Sequence, residues 1–76
     1  MKMTKAMYNI VPNFKAMIEL HKKEVENHQK LIDQFSYEAI AEKDMEKRTV
    51  YLLEALRNHE HQQGHKKMIK IYQDLL

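Results

Sequence analysis

The sequence predicts an all-α fold: an antiparallel, coiled-coil-like helical hairpin that dimerises into a four-helix bundle. Three observations predict it. The 76 residues include one Gly, one Pro and no Cys, too little turn chemistry for β-hairpins and no thiol for a disulfide framework. Phe14, Ile18, His21, Val25, His28, Ile32, Phe35 and Ala39 follow one another at alternating spacings of four and three, the a/d seam of a heptad repeat. Finally, the seam fades in the polar stretch from Glu42 to Arg48, and a turn within it at residues 43–44 leaves two arms of 31 residues each, 12–42 and 45–75.

Residues 1–11 are read as a lead-in to one hairpin domain spanning 12–76. Pro12 suits the first turn of a helix, where its missing N–H goes unmissed. The first arm then carries the seam, widened on one side by Met17 and Leu31, over a back of Lys, Glu, Gln and Asn. A turn is expected at about residues 43–44, with Asp44 as N-cap of the second helix. The alternative is a single continuous helix of some 50 residues, which would need a partner along its whole length. In the second arm Leu52, Leu56, Met68 and Ile71 are the expected seam. Gly64 costs a helix about 1 kcal/mol against Ala, so it marks a kink, a helix end or a close approach of two backbones. Folding about residues 43–44 pairs residue i with roughly 87 − i. That sets His28 near His59, and His21 near Lys66 with His65 beside it, so that a polar, histidine-lined band lies between two apolar layers.

Length and charge bound the function. One domain is the most that 76 residues hold, and a core of this size supplies only about 3–5 kcal/mol. Self-association is the usual remedy. Thirteen Lys and Arg against eleven Asp and Glu give +2, with an isoelectric point of about 8.9. The charge is unevenly placed. Residues 1–30 hold six bases to three acids, residues 31–60 four to seven, and residues 61–76 three to one. The turn end is therefore acidic and the open end basic, which favours an antiparallel dimer. Apolar runs are too short to cross a membrane, and the N-terminus lacks a signal-peptide core, so a cytoplasmic protein is expected.

Chemistry is sparse. A lone Ser36 and two threonines, Thr4 and Thr49, offer no nucleophile in a strained turn, and no enzyme and no cofactor are expected. The leading expectation is a small regulatory or inhibitory protein, an adaptor acting by protein–protein contact with itself and with a larger partner. Phe14, Ile18, Val25, Ile32, Phe35, Leu52, Leu56, Met68 and Ile71 would form its interaction seam. A second reading is RNA or DNA binding through Lys22, Lys23, Lys66, Lys67 and Lys70, since phosphate contacts need such a patch. A third rests on the histidines. His61 and His65, at i and i+4 on one helix face, together with His21 and Glu24, would make a tetrahedral zinc set without thiolate. The same imidazoles would make the seam sensitive to pH.

Two fragments and the overall architecture resemble larger families. His59-Glu60-His61-Gln62-Gln63-Gly64-His65 resembles the histidine-rich last helix of DinB-type four-helix metalloproteins, although this chain is about half their length. Asp44–Lys47 followed by Tyr51–Leu56 is similar to the second helix of a tetratricopeptide repeat, but three repeats do not fit in 76 residues. The hairpin architecture resembles the Rop family, dimeric helical hairpins that bind RNA loops. No residue role follows from any of them.

Overall fold

The structure is a computed structural model that describes the backbone of residues 5–76 and the side chains of residues 13–76. It consists of two helices, α1 (Lys5–Ala41) and α2 (Met45–Leu75), packed side by side as an antiparallel hairpin. The body is a rod of 60 × 16 × 11 Å. Among the described residues, no helix is long and apolar enough to cross a membrane.

The turn sits where the sequence places it. Glu42, Lys43 and Asp44 separate the helices, a connection length normal for helical hairpins. Asp44 has extended backbone (φ −76°, ψ 122°), and its carboxylate accepts from the Glu46 N–H at 3.2 Å. This is N-cap geometry, satisfying one of the donors a helix start leaves free. The Glu42 side chain accepts from the Asp44 N–H at 3.0 Å. The start of α1 differs from expectation. It begins at Lys5 and runs through Pro12, because a proline removes one N–H and bends a helix without forbidding helix ahead of it. Residues 1–4 of the expected lead-in lie outside the described residues. α2 runs unbroken through Gly64, where an added Cβ would meet nothing within 4 Å, so within one chain Gly64 is neither a helix end nor a close approach.

The α1 seam is as the heptad spacing predicts. Ile18 and Ala39 are buried, and Phe14, His21, Val25, His28, Ile32 and Phe35 are half-buried against α2. The α2 seam is not. Leu52, Leu56 and Ile71 are at least half exposed, at 53%, 53% and 50%, and Met68 is half-buried. The inward residues are instead Tyr51, Ala55, Asn58, Gln62, His65, Ile69 and Tyr72, again alternating by four and three. Three of these seven are polar, which hides them from a search for apolar spacing. The register is set by the facing pairs Phe14–Tyr72, His21–His65, His28–Asn58 and Phe35–Tyr51, whose residue numbers each sum to 86. That is one residue from the expected pairing, and one residue on a helix is a rotation of about 100°. His28 therefore meets Asn58, and His59 is turned out to solvent.

The Asp44 cap yields a direct expectation. Asp44→Ala should lower stability by about 1 kcal/mol, read by urea denaturation, while Lys30→Ala on the exposed back of α1 should change it by under about 0.5 kcal/mol. An Asp44→Ala variant as stable as the parent would mean that the cap does not hold the turn.

Candidate histidine site

Four of the five histidines converge between the helices, because the heptad spacing of each helix carries its imidazoles to the same level of the hairpin. His21 and His28 are seam residues of α1, and His65 is a seam residue of α2. His61 lies one turn earlier on the same face as His65. The His21 and His65 rings lie 5.0 Å apart, centre to centre, and their Nδ1 atoms are 2.7 Å apart. Such a contact requires one nitrogen to donate its proton and the other to accept. His28 stacks between the α2 pair, 5.6 Å from the His61 ring and 5.5 Å from that of His65. Tyr72 caps the stack, 6.0 Å from His21.

The polar seam of α2 orients these rings. Asn58 is buried, and its amide donates to the Glu54 carbonyl at 2.8 Å. That fixes its own oxygen towards His28, whose Nδ1–H donates to it at 2.8 Å. The lone pair of His28 is thereby assigned to Nε2, which lies 3.8 Å from a Glu24 oxygen. One turn on, Gln62 is only 3% exposed and donates to the Val25 carbonyl at 3.1 Å and to the Gln29 side chain at 2.9 Å. No buried side-chain polar atom among the described residues lacks a partner.

Glu24, His28 and His65 form the chemically useful subset. A carboxylate oxygen and one nitrogen from each ring lie within 4.8 Å of one another. Bonds of about 2.0–2.1 Å in a tetrahedron would set ligand atoms about 3.3 Å apart, so modest side-chain rotation would close these three around a cation. His21 occupies Nδ1 of His65 and leaves Nε2 of that ring free. Hydrogen bonding at the far nitrogen is the usual way a ligating imidazole is held in its tautomer. Of the expected set, the structure thus brings Glu24 and His65 together, gives His21 a supporting contact with His65, and stacks the exposed His61 on His28. Sequence reasoning missed His28 as a ligand and missed Asn58 entirely. The signal was present in the unbroken four–three spacing of α2 once polar residues are admitted to the seam.

An open depression of about 570 Å³ adjoins the cluster, lined by His21, Glu60, His61, Gly64, His65 and Met68. The lysines expected to meet phosphate, Lys22, Lys23, Lys66, Lys67 and Lys70, are all exposed. They lie on the back and the far flank of the rod, and Lys22 is 3.6 Å from Glu19. No protein-family model matches this chain, and comparison with curated proteins and with solved structures finds no match.

Burial holds the His65 pKa below the ordinary histidine value, helped by the charges of His21, His28 and His61 and opposed by Glu24. The folded chain therefore resists protonating His65, and the unfolded chain binds more protons as pH falls. Stability is full above the unfolded value of about 6.5 and declines as pH drops through it towards the folded value. In metal-free protein the melting temperature should fall between pH 7.5 and pH 5.5, and fall less in His65→Leu. Parallel pH profiles for the two proteins would exclude His65 as the group responsible.

Proposed function

We propose that this chain is a small, non-enzymatic metal-binding protein that takes a zinc-class divalent cation between its two helices. Glu24, His28 and His65 would supply three ligands. The observation that carries this reading is the orientation of the donors. Three metal-capable atoms from two helices lie within 4.8 Å, and Asn58 presents the His28 lone pair on the Glu24 side. A carboxylate with two imidazoles suits zinc better than calcium or magnesium, which prefer all-oxygen sites. Neutral imidazole is the ligating form, and His65, with its depressed pKa, is in that form at neutral pH. Because the ligands come from both helices, a bound ion cross-links the hairpin, and binding free energy becomes folding free energy.

Calorimetric titration of the metal-free chain with zinc chloride at pH 7.5 tests this. Saturable binding is expected. His28→Ala, His65→Ala and Glu24→Gln should each weaken it by more than Asn58→Ala, for which about 10–100-fold is expected. His59→Ala, outside the cluster, should leave it unchanged. Zinc at about 100 times its dissociation constant should add about 2.7 kcal/mol to stability. Absence of saturable binding at micromolar concentrations, or equal loss in His59→Ala, would sink the assignment.

A second reading, a regulatory or inhibitory protein that docks on a larger partner, is supported by the turn end, where Tyr37 and Ile40 are 74% and 78% exposed. Large apolar side chains so exposed are typical of binding surfaces when they cluster. Capture of a partner that persists in high salt and is lost in Ile40→Glu would support this reading. Capture abolished by salt or nuclease would instead implicate Lys22, Lys23, Lys66, Lys67 and Lys70 in binding nucleic acid. A chain that captures nothing would count against both.

A further inference from the structure

Each helix brings a pair of donors to the histidine band. α1 carries Glu24 and His28, α2 carries His61 and His65, and both pairs have the i, i+4 spacing that sets two side chains on one helix face. The site described above uses three of these four groups. Tetrahedral zinc takes four ligands, so one position is left for protein or solvent to fill. The register says how near the fourth group lies. Residue i of α1 faces 86 − i of α2, so the midpoint of the α2 pair, residue 63, faces level 23 of α1. The midpoint of the α1 pair is residue 26. That offset is about 4.5 Å along the rod at the rise of an α-helix. Side chains lean towards the N-terminus of their own helix. In an antiparallel hairpin that carries the α1 pair towards level 23 and the α2 pair towards level 26, so the leans close the gap. The rings agree: His28 lies between His61 and His65, 5.6 and 5.5 Å from them.

As it stands, the His61 ring has the wrong attitude for ligation. It is nearly parallel to the His28 ring, with 12° between the planes, and it is not part of the 4.8 Å group of Glu24, His28 and His65. Imidazole lone pairs lie in the ring plane, so two stacked rings aim past a shared ion. The ring has room to turn. His61 is exposed and borders the open depression together with Gly64 and Met68, so rotation about its side-chain bonds meets solvent and not packed protein. The other histidines are committed elsewhere. His21 is engaged with Nδ1 of His65 at 2.7 Å, and His59 is turned out to solvent.

We propose that His61 is the fourth ligand: its ring leaves the His28 stack and turns a nitrogen to the ion, so that Glu24, His28, His61 and His65 enclose it. This assignment rests on the metal-binding reading above. A site closed by four protein groups has no open position, the arrangement of structural and not of catalytic zinc. It suits a chain whose two helices the ion ties together, two ligands from each. His61 is the one exposed residue of the four, so the ion enters and leaves past it.

Cobalt(II) stands in for zinc and reports its coordination by visible absorption. Titrated into the full chain at pH 7.5, it should give the intense bands of a four-coordinate ion, unaltered by added azide, since no position is open to an outside ligand. His61→Phe keeps a flat ring over His28 but has no nitrogen to give. It should retain its helical circular dichroism and bind zinc at least about tenfold more weakly, the least that loss of a group orienting a ligand costs. Its cobalt spectrum should respond to azide. His61→Ala, which adds no bulk, should do the same, and His59→Phe should match the parent throughout. If His61→Phe binds as tightly as the parent with the same spectrum, or if azide perturbs the parent, His61 is not a ligand and the three-ligand site stands without it. If the parent shows no saturable binding of cobalt or zinc, the metal-binding reading falls and His61 with it.

Discussion

The hairpin depends on one constraint: three polar side chains of α2, Asn58, Gln62 and His65, face α1 and must find partners there. Each does. Asn58 meets His28, Gln62 meets the Val25 carbonyl and Gln29, and His65 meets His21. Leaving one such buried group unpaired costs about 1–3 kcal/mol. Slipping α2 by one residue would turn all three away from their partners at once. Apolar packing exerts no comparable preference, because the only buried apolar residues among those described are Ile18, Ala39 and Ala55. Register here is specified by hydrogen bonds and filled in by hydrophobic contact, as polar a positions specify register in coiled coils.

That division explains what was legible in the amino-acid sequence. The α1 seam could be read residue by residue because six of its eight members are apolar and regularly spaced. The turn could be read because Asp44 follows a polar stretch at the point that makes the arms equal. In α2 the strongest apolar residues, Leu52, Leu53 and Leu56, lie beside the seam or behind it. A search for apolar spacing therefore settles one position away and carries the pairing from 86 to 87. The error is small in sequence and large in consequence, since it selects His59 where the fold uses Asn58. The convergence of His21, His28, His61 and His65 was visible in outline. The ligand subset was not, because it depends on which ring nitrogen each hydrogen bond occupies.

A polar seam has a cost in stability. It fixes one arrangement but buries little apolar area, and a rod of 60 × 16 × 11 Å has almost no interior. Hydrophobic stabilisation scales with area removed from water, so half-exposed leucines on both flanks mean that much of the available stabilisation is unused in a single copy. The cost falls most heavily at the middle of the hairpin, where the imidazoles replace the leucines that would otherwise fill the seam. Metal ligation would act at that level.

Metal and proton would compete for the same imidazoles of the histidine band. A cation held by Glu24 and His28 of α1 and His65 of α2 would cross-link the two helices at the level where the seam is polar. Reciprocity follows from linkage: by whatever factor the folded hairpin favours the cation over the unfolded chain, the cation would favour the folded hairpin. Protons enter the same cycle with the opposite sign, because each imidazole that gains one is lost as a ligand and adds charge to a dry layer. The band that weakens the isolated hairpin is thus the place where metal and pH would act on one equilibrium, and His65 is the residue both share.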